Sequence, residues 1–292
     1  MRYESIFAVC FTRQGRDVMG QVRSALSALC APEFSVLCAF GPSHRPLCDF
    51  VRESFDVAHS GKKTLLIFVG ACGIAVRSIA PFLEKKTVDP AVLCVDDGGR
   101  FVIPVLSGHI GGANEAAKAL AGSLGATPVI TTSTDVNGAW AYDSWCVGHG
   151  KKIKNTDVIK DVASRVLRGE KIFSVGVGCK KGTDSNALAA FIQEVFFDND
   201  LDFSLLRSVS SIDVKKNERA ILDFARAQGV SCAFYSSGEL NMISGDFSSS
   251  AFVRERVGVD CVCERAAVAS SMHSELLVGK CAFSGMTVAI AL

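Results

Sequence analysis

The sequence predicts an α/β protein of two domains, each a largely parallel sheet flanked by helices. Three observations carry this. Short apolar runs alternate with segments of helical periodicity along most of the chain. Glycine-rich polar turns follow several of those apolar runs, as they do where strands of an α/β sheet meet a ligand. At 292 residues the chain is long enough for two domains, and a polar break at Gly148-His149-Gly150-Lys151-Lys152 interrupts the alternation.

The first domain is read over residues 1–138. Ser5 to Phe11 is a buried strand, and Val18, Val22, Ala25, Leu26 and Leu29 follow it at helical spacing. Phe34 to Phe40 is a second strand and Pro46 to Ala58 a second helix. Thr64 to Val69 is strongly apolar and ends at Gly70; a helix from about Gly73 to Leu83 follows. Ala91 to Val95 is a strand, Asp97-Gly98-Gly99 a turn and Phe101 to Leu106 a further strand. The helix after Gly112 carries Ala113, Ala116, Ala117, Leu120 and Leu124 on one side and stops at Gly125. Thr127 to Ile130 is short and strand-like.

Residues 139–170 read as a connection, with Asn155 or Thr156 available to cap a helix that buries Val158, Ile159, Val162, Val166 and Leu167. The second domain is read over 171–292. It opens with a strand, Lys171 to Gly178, and a helix capped by Thr183. A strand near Leu205 to Val209, a helix capped by Asp213 and running to about Gln228, and a strand Ser231 to Tyr235 follow. Helical pieces lie around Glu239, Phe252 and Ala266, and the end reads as a hairpin turning at Ser284-Gly285.

Composition narrows the function. Hydrophobic residues are 49% of the chain, which excludes a disordered or fibrous class. A net charge of +1 argues against nucleic-acid binding, though local basic clusters can receive an acidic small molecule. No apolar run approaches the ~20 residues needed to span a bilayer, and the first residues lack the pattern of a signal peptide. A cytoplasmic protein without a membrane partner is expected. The twelve cysteines include no C-x-x-C pair, so they read as reduced, buried small hydrophobes, and no metal site is expected.

The densest polar cluster is Ser107-Gly108-His109-Ile110-Gly111-Gly112-Ala113-Asn114-Glu115, between a strand and a helix. Its G-x-x-G-G spacing is neither the dinucleotide fingerprint nor a P-loop. What remains is an anion-receptive helix start with His109 beside it; His109 is functional or simply structural. Gly70 to Arg77 and Thr131-Thr132-Ser133-Thr134-Asp135 are two more polar turns, and the three suggest one shared crevice. Arg77 is either paired with Asp89 or Asp96, or a clamp for a substrate carboxylate. Thr131, Thr132, Thr134 and Asp135 offer hydroxyls and a carboxylate, for recognition or for local turn bonds. In the second domain, Gly178-Cys179-Lys180-Lys181-Gly182-Thr183 places two lysines at a helix start, where a bound anion would offset their conflict with the helix dipole. Glu264 lies among Val262, Ala266 and Ala267, where burial would raise its pKa; alternatively it is exposed and paired with Arg265 or Lys280.

GACGIAVRSIAPFL, KKTVDPAVLCVDDGG, VLSGHIGGANEAA and PVITTSTD, between Gly70 and Asp135, resemble the amino-terminal part of the cobalt-precorrin-5A hydrolases of cobalamin biosynthesis. VGVGCKKGT, SIDVKKNE, FSSSAFV, VCERAAV and TVAIA resemble their carboxyl-terminal domain. Cys72, Ser133 and Arg265 stand where the family usually has Thr, Ala and Ala, and the middle segment is short. The resemblance implies hydrolysis of the δ-lactone of a cobalt-containing, polycarboxylated tetrapyrrole, with loss of acetaldehyde. The cobalt arrives in the substrate, so no cofactor is implied. Contacts with neighbouring pathway enzymes and a homodimer are compatible with it.

Under that reading His109 is the expected base, with Glu115, Asp135 and Glu264 as candidates for the further proton transfer. Gly73, Arg77, Ser107, Gly111, Gly112, Asn114, Thr131, Thr132 and Thr134 are expected substrate contacts in the first domain. Gly178, Cys179, Lys180, Lys181, Thr183 and Ser249 are expected in the second. The competing reading is a non-catalytic binding or carrier protein for a corrinoid intermediate.

Overall fold

A computed structural model describes residues 3–26, 33–39, 45–153 and 155–292. The chain divides into two units, residues 1–156 and 157–292. The segment 139–170 is thereby split between them.

The first unit runs β1 (Ser5–Cys10), α1 (Arg13–Leu26), β2 (Glu33–Cys38), α2 (Leu47–His59), β3 (Thr64–Val69), α3 (Cys72–Ile79), β4 (Ala91–Val95), β5 (Phe101–Leu106), α4 (Ala113–Leu124), β6 (Thr127–Pro128), α5 (Ser133–Val136) and α6 (Tyr142–Gly148). Its sheet order is β2-β1-β3-β4-β5-β6. Both faces are buried, which is why the strands read as continuous apolar runs. Ile6, Ala8, Leu65, Ile67 and Leu93 pack with α1 and α4. The alternate positions Phe7, Val9, Leu66, Phe68 and Val92 pack with Phe50, Val51 and Phe55 of α2 and Ala75 and Ile79 of α3. The expected residues Leu29 and Phe40 lie outside the described residues.

All pairings in this sheet are parallel except β4 with β5, where Val92 faces Leu106 and Val95 faces Val102. This single reversal places the function-bearing loops. The end of β5 lies beside the start of β4, so the Ser107–Gly112 loop emerges at the edge where β1, β3 and β4 begin. Gly70 follows β3 at the opposite edge, where its N–H bonds Val95 O at 2.8 Å. β6 is parallel to β5, so Thr131 to Asp135 share the Ser107 edge.

The second unit runs α7 (Thr156–Leu167), β7 (Phe173–Cys179), α8 (Ser185–Asp198), β8 (Leu206–Ile212), α9 (Arg219–Gln228), β9 (Ser231–Tyr235), α10 (Ser237–Met242), α11 (Ala251–Val257), α12 (Val262–Ser270), β10 (Leu276–Phe283) and β11 (Met286–Ala291). Its sheet order is β10-β11-β7-β8-β9, parallel across β7, β8 and β9 and antiparallel at the terminal hairpin. α12 lies against β7 so closely that a Cβ on Gly176 would stand 1.8 Å from the Cys263 carbonyl oxygen. Ser174 and Ser210 donate from the sheet to the carbonyls of Ser270 and Ala266 at 3.0 and 2.8 Å.

Two expected caps differ. Asp184, not Thr183, caps α8 by accepting from Ala187 N at 2.8 Å; Thr183 donates instead to Lys180 O. Asp213 opens a short 3₁₀ turn, Asp213–Lys215, and α9 starts only at Arg219.

Candidate active site

The Ser107–Gly112 loop is closed on itself. Ser107 has φ +55°, a left-handed backbone uncommon for a residue with a side chain. Its hydroxyl donates to Asp89 O at 3.1 Å, and its carbonyl accepts from Ala113 N at 3.1 Å. A Cβ on Gly111 would lie 2.6 Å from Ser107 Cβ and 2.9 Å from its carbonyl oxygen, so only glycine fits. Tyr3 adds a hydroxyl donor to Gly111 O at 3.2 Å. Gly112 enters α4 with φ +85°.

This loop projects His109 between two carboxylates. Nδ1 is 2.9 Å from Asp143 Oδ1, and Nε2 is 2.6 Å from Asp135 Oδ2. Asp143 is buried and takes Lys86 Nζ on its second oxygen at 2.6 Å. The Asp135 side chain is 23% exposed. It also accepts from Asn114 Nδ2 at 3.0 Å, and the same amide donates to Thr132 Oγ1 at 2.9 Å. Glu115 is exposed and bonds Lys118, whose ammonium lies 3.8 Å from Asp135 Oδ1. Two buried oxygens near this cluster, Asn114 Oδ1 and Thr134 Oγ1, have no protein partner among the described residues.

The electrostatics follow from the geometry. Burial alone would lower the His109 pKa; the hydrogen bond and charge of Asp143, and then those of Asp135, outweigh it and hold the imidazole above its ordinary value. Burial alone would raise Asp143, but His109 and Lys86 pull it down to about 2. A carboxylate only accepts, so with both acids ionised each ring nitrogen carries a proton. The imidazolium then has no lone pair for water. In that state His109 donates to the partly exposed Asp135, whose other oxygen is the one nearest Lys118.

The other expected contacts separate. Thr132 and Thr134 lie in this cluster's wall, while Thr131 is exposed. The one shared crevice is not formed, because β5 is antiparallel: Gly70 and Gly73 follow β3 at the opposite edge of the sheet. A Cβ on Gly73 would meet nothing within 4 Å, and Arg77 is exposed. Neither acid suggested for Arg77 is its partner: Asp89 bonds His59, and Asp96 bonds Arg100.

Asp143 and Lys86 were not singled out from the sequence. A signal existed at Asp143, a charge set among Trp140, Tyr142, Trp145 and Cys146, where burial demands a partner.

The second unit holds a cavity of about 820 Å³ at the ends of β7 and β8. Gly178, Cys179, Lys180 and Lys181 line it; Lys215, Arg256 and Lys280 add further cations. Its only carboxylate among the lining residues, Asp260, is engaged by Arg265 at 2.8 Å. The rest of the wall is largely apolar, with Ile212, Val257, Val262, Phe283 and Met286. Burial raises the Cys179 thiol above its ordinary pKa, which opposes a reactive thiolate there. Glu218 Oε1 accepts from Gly182 N at 2.9 Å and ties down the lysine loop.

Glu264 and Ser249 fall outside this wall. Ser249 is exposed. Glu264 is buried, but its pKa is not raised. Burial pushes it up, while the Lys280 backbone N–H at 2.8 Å, the Cys261 thiol, and the Ser248 backbone N–H and hydroxyl at 2.6 and 3.0 Å bring it below its ordinary value. It joins three segments and pairs with neither Arg265 nor the Lys280 ammonium.

Comparison with known proteins agrees with this two-part organisation. Residues 56–135 match the family described as cobalamin synthesis G N-terminal, and residues 173–291 the one described as cobalamin synthesis G C-terminus. A curated protein of Salmonella typhimurium named cobalt-precorrin-5A hydrolase is 27% identical, covering 89% of this chain and 90% of its own length. One of Priestia megaterium with the same name is 28% identical, covering 78% of each. A solved cobalamin biosynthesis protein G homologue from Sulfolobus solfataricus covers 99% of this chain and 97% of its own at 18% identity, with a TM-score of 0.38, too low for a fold comparison. With its glycine-rich histidine loop in one unit and its lysine loop in the other, each inside a matched domain, the chain belongs to the cobalamin synthesis G family.

Proposed function

We propose that this protein is a cobalt-precorrin-5A hydrolase. It opens the δ-lactone of that tetrapyrrole with water and releases acetaldehyde, giving cobalt-precorrin-5B on the anaerobic route to cobalamin. The names of the curated relatives support the substrate. The observation that carries the hydrolytic reading is His109 held between Asp135 and Asp143 beside a helix start.

The reaction calls for a base twice. Water must lose a proton as it attacks the lactone carbonyl, and the freed hydroxyl must lose one before its carbon–carbon bond breaks, with electrons moving into the conjugated ring. Asp135 is the group for both: with its Oδ2 held by His109 and Asn114, its Oδ1 takes the proton from water, returns it to the departing lactone oxygen, and takes it again from the freed hydroxyl, the ring carbon that receives the electrons gaining a proton. The amides of the 109–112 loop serve the developing oxyanion. In the second unit, an apolar cavity carrying Lys180, Lys181, Lys215, Arg256 and Lys280 suits a flat ring edged with carboxylates. That cavity alone would equally serve a carrier of the corrinoid, which is the second reading.

Anaerobic incubation with cobalt-precorrin-5A decides between them. The hydrolase predicts loss of the lactone by mass spectrometry with one acetaldehyde per ring. Tight binding without acetaldehyde would leave the carrier reading.

A further inference from the structure

We propose that Asp143, tethered by Lys86, is the positioning residue of this site: it fixes the His109 ring and holds the proton on Nδ1, so that the Nε2 proton is the one shared with Asp135. The proposal rests on the hydrolase reading for its kinetic consequence, but its structural half stands on this chain's own residues.

The four groups form a line of contacts, Lys86 Nζ to Asp143 at 2.6 Å, Asp143 to His109 Nδ1 at 2.9 Å and His109 Nε2 to Asp135 at 2.6 Å. They come from four separate segments: the α3–β4 connection, α6, the β5–α4 loop and α5. The line is asymmetric. Its inner acid is 4% exposed, the ring 8% and the outer acid 23%. The inner acid is saturated, since Asp143 Oδ1 also accepts from Ser144 N at 3.1 Å and Oδ2 takes the ammonium. A lone carboxylate among Tyr142, Trp145 and Cys146 would be costly to bury; Lys86 and His109 together offset that cost. Asp143 therefore stays ionised, and a proton leaving the ring has one outlet, Asp135. The charged groups facing the ring's immediate neighbours are Lys86 on the inner side and Lys118, with Glu115 behind it, on the outer side.

Two variants separate positioning from general loosening. In Asp143→Asn the ring loses an ionic partner while burial remains, so its titration midpoint falls by roughly one pH unit or more. In Lys86→Met a nearby cation is lost, so the midpoint rises. A purely structural disturbance would move both variants the same way, toward ordinary histidine. The readout is the ¹⁵N and ¹³C NMR titration of the full chain, with His109 assigned among the five histidines by its loss in His109→Gln. In the same proteins, acetaldehyde release should fall about 10²- to 10⁴-fold in kcat for Asp143→Asn, with KM within about threefold.

Opposite displacements support the proposal. An unmoved His109 midpoint in Asp143→Asn overturns it, as does displacement of both variants in one direction. Should Asp143→Asn fail to fold, Lys86→Met decides alone: a raised midpoint supports the proposal, and an unmoved or lowered one overturns it. If the unaltered protein releases no acetaldehyde while the NMR pattern holds, the hydrolase reading fails and the positioning of the ring stands.

Discussion

Asp143 and Glu264 are both buried acids on short helices, one in each unit, and both are held below the ordinary carboxylate range against their own burial. They differ in what holds them. Asp143 faces an imidazole and an ammonium, groups whose charge can change or move. Glu264 faces two backbone amides, a serine hydroxyl and the Cys261 thiol, none of them a cation. The same depression of a pKa therefore accompanies an ionic cluster in the first unit and a hydrogen-bonded staple between the Ser248 loop, α12 and β10 in the second. The identity of the partners, and not burial, separates the two.

The sharpest way to break the comparison is at the reacting end. Asp135→Asn and His109→Ala should each lower acetaldehyde release by about 10²- to 10⁴-fold. Glu264→Gln should leave the turnover of folded protein within about threefold, and equal losses at all three positions would erase the distinction. The reverse holds for stability. Glu264→Gln replaces one acceptor oxygen by an amide donor that must face a backbone N–H, and should cost about 1–3 kcal/mol in urea unfolding; an unchanged midpoint would show that the staple is idle.

The pH dependence sharpens the same contrast. Asp143 is depressed to about 2, so its contribution, of order 2 kcal/mol and shared with His109 and Lys86, is present above the ordinary aspartate range and lost as pH falls through about 2. His109 is raised, so its contribution is full below the ordinary imidazole range and lost as pH rises through its raised pKa. Unfolding free energies measured from pH 2 to 9 should therefore decline on both sides. His109→Gln should remove the part of the alkaline decline due to this ring. Glu264→Gln should alter the acidic side, since that acid is also depressed. The smallest effect is expected in the cavity, where Lys180→Ala with Lys181→Ala should weaken binding of the acidic ring about three- to tenfold, more at low salt, with kcat little changed. No change in affinity at any salt concentration would argue against this cavity as the ring's site.

Much of the fold was legible. The apolar runs of β1, β3 and β4, the α4 stripe ending at Gly125 and the terminal hairpin all lie where periodicity and turn residues put them, because burial on one or two faces writes its own repeat into the chain. The glycines of the Ser107–Gly112 loop were also visible, and the structure supplies their reason in the contact of Gly111 with Ser107. The direction of β5 was missed, although residues 96–100 are too few for a parallel crossover and Gly98-Gly99 marks a tight turn. That one error joined Gly73 and Arg77 to a site at the other edge of the sheet.

By itself, then, the sequence determined the alternation of elements, the two domains and their family, and the chemical character of each loop, since these depend on neighbours close along the chain. Which loops meet was decided by tertiary structure. His109 finds Asp143, 34 residues on, and Asp143 finds Lys86, 57 residues back, only because strand order and one antiparallel pairing bring those segments to one edge. A side chain's partners, and with them its proton affinity, are properties of that three-dimensional neighbourhood, and no local repeat encodes them.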